Sequence, residues 1–282
     1  MTKKITLFLA AVSIILAIGY YFFLSKNKET PSTGKDGHVK IVPGSNKAML
    51  TLADGSKIEL DSSNNGILSQ PVANTVSTPR GGQHKLILPD GTLIYMNAAT
   101  SIKFPIDFAA KERKVELTGE AYFEVTKNVG MPFKVVTKGV EILALGTQFN
   151  VKSYGGEAII QATLLEGSLQ VQKAAVTRIL KPGQQALITD KIKVVKVYID
   201  QEVAWKEGYF SFEDKDLKTI LQEISNWYNV DIVYQGDITQ IQLNFGGKLH
   251  RNMSIRSLLK HLNTNGLNLE LQEETRKIIV RP

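Results

Sequence analysis

Residues Ile5 to Leu24 form an unbroken apolar run of 20 residues, ITLFLAAVSIILAIGYYFFL, with four residues before it and 258 after it. No residue in the run is charged, and its only polar members are Thr6, Ser13, Tyr20 and Tyr21. A helix of that length covers about 30 Å at roughly 1.5 Å per residue, which matches the hydrocarbon core of a bilayer. A cleaved signal peptide would carry a shorter apolar stretch of about 7–15 residues ending in small side chains. This run instead ends Tyr20-Tyr21-Phe22-Phe23-Leu24, aromatic residues that suit a membrane interface. The expectation is an uncleaved transmembrane helix over residues 5–24, with residues 1–4 a cytosolic stub and the rest of the chain exported. Lysines flank both ends (Lys3 and Lys4, then Lys26 and Lys28), so charge bias is weak and orientation leans on the short N-terminus staying inside.

There is no cysteine, which excludes a lipid-modified cysteine, disulfides and thiolate metal sites. The exported part must therefore be held by its core. An apolar fraction of 43% is normal for a globular chain. The net charge of +7 does not mark a nucleic-acid binder, because it is scattered. From Gln201 onward there are 10 Lys/Arg against 11 Asp/Glu, and the first 200 residues carry 24 against 16 without a cluster. A mild basic excess outside the membrane favours anionic envelope polymers or an acidic partner surface.

Residues 25–47 are rich in Lys, Ser, Gly and Pro and read as a linker, with a short strand at His38–Val42. Then a repeat begins. Met49–Leu60 reads MLTLADGSKIEL and Lys85–Met96 reads KLILPDGTLIYM, with five of twelve positions identical. Each copy is apolar alternation, an Asp-Gly turn, and more alternation, the pattern of a β-hairpin. A looser third copy, LLEGSLQV, sits at Leu164–Val171 with Glu-Gly in the turn. Short β-branched or aromatic segments broken by Gly and Pro continue to Tyr198. Residues 48–200 are thus expected to form an all-β domain, solenoid-like or a sandwich.

From Trp205 the texture changes. Leu217, Ile220, Leu221, Ile224 and Trp227 fall at helical spacing, with Asp214 or Asp216 placed to cap the first turn. Ser254 caps a second helix whose apolar face is Ile255, Leu258, Leu259 and Leu262, and Asn265-Gly266 stops it. Strands are expected at Tyr209–Phe212, Asp231–Tyr234, Ile241–Leu249, Leu267–Leu271 and Ile278–Val280. The order β-α-β-β-α-β-β makes residues 205–282 a small α+β domain with two helices on one face of a short sheet. Its sheet edges suit a partner strand.

No catalytic constellation stands out. His38, His84, His250 and His261 have no metal-ligand spacing, and there is no nucleophile elbow or phosphate-binding loop. Asp54 and Asp90, each beside a glycine in matched turns, read as turn residues rather than paired acids. The chain is expected to have no enzymatic activity, cofactor or metal. Tyr209, Phe210 and Phe212 present two readings. Alternating aromatics in a strand are commonly core on one face, and a partner-binding surface would take Tyr209, Phe210, Phe212, Phe245 and Leu249. A membrane-tethered β module that binds envelope polysaccharide is an alternative function, although the β region lacks the Trp platforms such sites use.

Thr78–Asn97, TPRGGQHKLILPDGTLIYMN, followed by Ala98-Ala99-Thr100-Ser101 and Phe104-Pro105, resembles the opening of the FecR-type periplasmic domain. Arg113–Val125, RKVELTGEAYFEV, is similar to that family's second signature, and Pro132–Val135 and Leu145–Val151 to a third and fourth. The signature turns are Arg80-Gly81, Asp90-Gly91, Gly119-Glu120 and Gly146-Thr147. The segment from Tyr209 to Pro282 resembles a secretin-and-TonB N-terminal-type domain. The resemblance implies a single-pass regulator in the inner membrane of a Gram-negative cell, its bulk in the periplasm. The implied partners are the signalling domain of an outer-membrane TonB-dependent transporter and an extracytoplasmic-function sigma factor. With four residues before the membrane run, the family's cytosolic sigma-binding domain is expected to be missing.

Overall fold

The computed structural model describes residues 40–52, 54–60, 74–105, 108, 112–238, 241 and 246–282. The run Ile5–Leu24, the stub before it, and the expected strand's His38 and Val39 lie outside the described residues. No helix among the described residues is long and apolar enough to cross a membrane. The chain divides into two units, residues 1–40 and 41–282, and every described strand and helix belongs to the second.

The hairpin repeat forms as expected. After β1 (Ser45–Asn46) come β2 (Ala48–Thr51) and β3 (Lys57–Leu60), paired in the first hairpin; β4 (Asn74–Thr78) precedes β5 (Gly82–Ile87) and β6 (Leu93–Met96), paired in the second. The two turns share one bonding pattern. Asp54 accepts hydrogen bonds from the Ser56 amide and hydroxyl at 2.8 and 2.6 Å, and Asp90 from those of Thr92 at 3.0 and 2.7 Å. Gly55 and Gly91 then take φ of +83° and +81°, a backbone that a Cβ would strain.

Next come β7 (Thr100–Phe104), β8 (Arg113–Glu124), β9 (Phe133–Thr137), β10 (Val140–Ala144), β11 (Gln148–Ser153), β12 (Ile160–Glu166), β13 (Leu169–Lys173), β14 (Val176–Leu180), β15 (Gln184–Ile188) and β16 (Ile192–Lys196). They complete two sheets. The first runs β3-β2-β4-β7-β8-β9-β10-β13-β14, and the second β1-β5-β6-β8-β11-β12-β15-β16. All pairs are antiparallel except β8–β9 and β1–β5. The strand β8 belongs to both. Its Arg113–Thr118 half pairs with β7 and β9, and its Gly119–Glu124 half with β6 and β11. The two layers enclose one core, in which Phe123 stacks on Phe149 at 4.9 Å and meets Phe133 of the first sheet at 6.0 Å between ring centres. Two layers around one core is what a sandwich and a flattened solenoid share; no closed barrel forms.

The third copy of the repeat is not a hairpin. Strands β12 and β13 do not pair; β12 lies between β11 and β15, and β13 between β10 and β14. Gly167, at φ +91°, carries the chain from one layer to the other. Leu164 and Leu169 enter the shared core from opposite sheets, and burying both stripes there outweighs a local pairing.

A short helix α1 (Ile199–Glu202) leads into the second domain: β17 (Tyr209–Ser211), α2 (Leu217–Tyr228), β18 (Asp231–Tyr234), β19 (Lys248–His250), α3 (Ile255–Thr264), β20 (Asn268–Gln272) and β21 (Lys277–Arg281). The element order is the expected one, but the strands do not form one sheet. Strands β17 and β19 pair alone, and β18-β21-β20 make a separate three-stranded sheet. Asp216, rather than Asp214, caps α2, accepting from the Thr219 amide at 2.9 Å, and Ser254 caps α3 through the Ser257 amide at 3.1 Å. The inward faces of both helices, with Phe210, Phe212 and Val280, form a second core.

The expected linker ends earlier than residue 47. Ile41 is buried in the second core, and β1 pairs with β5 of the first domain. A Cβ on Gly44 would stand 2.6 Å from the Trp227 ring, so glycine lets this segment lie flat on α2. Polar composition conceals a strap that touches both domains.

Candidate functional site

The two domains meet across a polar junction built from turns that the sequence marks. In the turn between β4 and β5, the Arg80 guanidinium reaches the end of α2. It pairs with Asp231 at 2.7 Å, donates to the Ser225 hydroxyl at 2.8 Å, and also reaches the Val230 carbonyl. Gly81, at φ +71°, donates its amide to the Asn226 carbonyl at 2.7 Å. The last carbonyls of a helix lack intrahelical donors and carry negative partial charge, so an arginine and an amide there satisfy them.

Deeper in, a chain of side chains crosses the junction. Arg251 is 3% exposed and lies 4.0 Å from the Trp227 ring centre and 5.2 Å from that of Phe210. It donates to the side-chain carbonyl oxygen of Asn97 at 3.0 Å, and the Asn97 side-chain amide donates to Glu120 at 2.7 Å. Asn150 donates to the other Glu120 oxygen at 3.0 Å and accepts from the Trp205 indole at 3.3 Å. Beside this chain, the Lys152 ammonium sits 3.6 Å from both Glu157 and Glu223, and Lys215 is 2.7 Å from Glu223. Burial opposes the charges of this cluster. Glu223 and Glu120 more than offset it at Lys152, whose ammonium is held above the ordinary lysine range. At Glu223, Lys215 and Lys152 likewise prevail and hold the carboxyl below the ordinary range. At Glu157 and Glu202 burial wins and the carboxyls are pushed up.

Between the domains lies a cavity of about 360 Å³, lined on one side by Glu120, Lys152 and Gln185 and on the other by Tyr209, Ser211 and Arg251. Glu202 accepts from Gln185 at 2.7 Å at its edge. Because Glu202 holds its proton more tightly in the fold than in the unfolded chain, its contribution is most favourable in acid. It declines as pH rises above the ordinary glutamate pKa of about 4.3. Glu202→Gln is therefore expected to raise the melting temperature at pH 7, with the gain vanishing below roughly pH 4. Differential scanning fluorimetry across pH checks this; a lower melting temperature at pH 7 contradicts it.

The signature turns separate into two groups. Arg80, Gly81, Gly119 and Glu120 come together at or beside the junction. Gly91, Gly146 and Thr147 line a second hollow with Thr126 and Lys127, and Asp90 stands next to Gly91 in the turn beside it. There Asp90 pairs at 2.7 Å with Arg113, whose side chain is 2% exposed and also donates to the Thr126 and Met131 carbonyls.

The partner-binding set is corrected. Phe210 and Phe212 are 1% and 2% exposed and stack on each other in the second core, so neither offers a surface. Tyr209 and Leu249 are half-buried, Tyr209 against His250 and Leu249 against that core. Phe245 lies outside the described residues. Sequence reasoning missed Asn97, Asn150, Lys152, Glu223 and Arg251. The signal available was Lys152 and Asn150 alternating with Val151 in a β-strand, charge and amide where one face must be covered.

A family model described as FecR protein matches residues 74–170, and a second, described as FecR, C-terminal, matches residues 209–280. The second match falls on the segment that resembles a secretin-and-TonB N-terminal-type domain. No curated protein matches the chain. Two crystal structures, each of a candidate anti-sigma factor from Parabacteroides distasonis, are similar. One has a TM-score of 0.66 and 25% identity over 74% of this chain and 99% of that one; the other has 0.65 and 25% over 73% and 97%.

Proposed function

The chain belongs to the FecR family, and on that premise we propose that it is a sigma-factor regulator held in the inner membrane by Ile5–Leu24. Its periplasmic part receives a signal from a TonB-dependent transporter and passes it to an extracytoplasmic-function sigma factor. The observation that carries this reading is the pair of family matches in order along the chain, with similar structures of candidate anti-sigma factors covered almost completely. The junction supplies a physical means. A partner can shift the exported part only by binding one arrangement of the two domains better than another. The buried chain from Arg251 to Trp205 ties the domains into one arrangement, so breaking it changes what the partner meets. Two measurements test the reading. The tagged full-length chain is expected to recover a transporter signalling domain from envelope extracts, and deletion of its gene to change a sigma-dependent reporter's response to the transported ligand. An unchanged reporter together with no transporter recovered, where one is encoded nearby, contradicts it.

A further inference from the structure

Both sheets of the first domain end at the same place. The first finishes at β14 and the second at β16, and neither strand has a partner on its outer edge among the described residues. The two edges lie close together, β14 packing against β15 and β16. An unpaired edge presents a row of free N–H and C=O groups, a template for another strand. Solenoids of stacked strands close such an end with a polar cap. This end carries apolar side chains instead: Val176 is 41% exposed and Ile179 65%.

The charge at this end is of one sign. Residues 173–198 hold six lysines and arginines and a single acid, Asp190. Arg178, Lys181, Lys191, Lys193 and Lys196 are all exposed. Arg178 donates to the Thr177 carbonyl at 2.8 Å and Lys173 to the Thr189 carbonyl, neutral groups that leave both charges unopposed. Charged residues on an edge strand commonly keep strands of other molecules away. Charge of one sign does so selectively. It repels a second copy of this end and other basic strands, and it attracts an acidic one. Ile179 lies on the outward face of β14, paired with Gln170 of β13, where edge protection has no use for an apolar side chain.

We propose that β14 is a docking edge for an extended, acidic segment of a partner protein. The segment adds to the first sheet as one more strand. Its backbone pairs with β14, an apolar side chain covers Ile179, and its carboxylates meet Arg178 and the lysines of β16. Attraction of this kind speeds association and sets specificity, and salt weakens it. The docking does not depend on the sigma-regulator reading. It is measured with a peptide, so it stands or falls separately from the transporter.

The test uses the purified full-length chain in phosphatidylcholine nanodiscs, with the fluorescently labelled peptide TEVEVEVT as probe. Anisotropy is expected to show saturable binding that weakens several-fold between about 50 and 300 mM salt. A version with lysine for each glutamate, and one with two adjacent prolines at its centre, should not bind. Arg178→Glu combined with Lys193→Glu should weaken binding about tenfold or more, and Ile179→Thr a few-fold. All three side chains are exposed, so these variants should keep the parent's melting temperature. The peptide should slow hydrogen exchange in β14 and leave β3, at the other end of the same sheet, unchanged. Four results overturn the proposal: no saturable binding, equal binding of the lysine or proline version, charge-reversed chain binding as tightly as the parent, or β14 protected by phosphatidylglycerol in the nanodisc without peptide. The last would assign this surface to the membrane.

Discussion

Asp90→Ala is expected to cost on the order of 3–5 kcal/mol, the loss typical when one partner of a buried ion pair is removed. The matching substitution, Asp54→Ala, should move the unfolding midpoint by only a small fraction of that. Both aspartates close the same turn with the same two hydrogen bonds. The difference is what lies behind the turn. Asp54 is exposed, whereas Asp90 is 14% exposed and faces the Arg113 guanidinium, itself 2% exposed, at 2.7 Å. Removing Asp90 strands a desolvated cation among the Thr126 and Met131 carbonyls and the Phe133 ring. Urea denaturation of the two variants side by side reads the asymmetry. Similar losses would mean that Asp90 serves the turn alone.

The second large effect is expected at Gly119. Valine there meets two obstacles. The backbone is at φ +103°, a conformation that costs a branched residue on the order of 1–3 kcal/mol. A Cβ would also stand 2.6 Å from the Thr100 Cα and 2.8 Å from the Ala99 carbonyl, atoms that cannot swing aside. This is the residue at which β8 leaves one sheet for the other. Thr100 Oγ1 also accepts from the Glu120 amide at 3.0 Å, so a displaced Thr100 disturbs the junction too. Gly119→Val should lose roughly 3 kcal/mol or more and yield mostly insoluble chain. A soluble variant with an unchanged urea midpoint would show that β8 does not need its bend.

Local chemistry was legible in the sequence, and non-local pairing was not. The Asp-Gly turns announce their hairpins because the positive φ and the aspartate hydrogen bonds lie within three residues of each other. Ser254 and Asp216 announce their helices for the same reason. At Glu166-Gly167 the same local cue misleads, since the choice between pairing β13 with β12 or with β10 depends on a strand more than 20 residues away. The alternation of Phe210 and Phe212 pointed correctly to a core face, and only the partner-binding reading of those rings is lost. The junction stayed hidden because its contacts span the chain: Arg80 and Asp231 are 151 positions apart, Arg251 and Asn97 154. The Arg80-Gly81 signature was visible as a turn, but nothing in it names the helix end it holds. Residues 41–47 were misread because a strap of Ile, Pro, Gly and Ser has a linker's composition.

The proposed regulation depends on a docked junction between the β domain and the α+β domain. The Gly81 amide, donated across that junction to the Asn226 carbonyl at 2.7 Å, reports on it directly. Hydrogen exchange at that amide is expected to be slow, with protection approaching that of core strand amides such as Val151. In Arg251→Met it should become fast while Val151 stays protected. Exchange at the parent's Gly81 as rapid as in an open surface turn would contradict the docked arrangement.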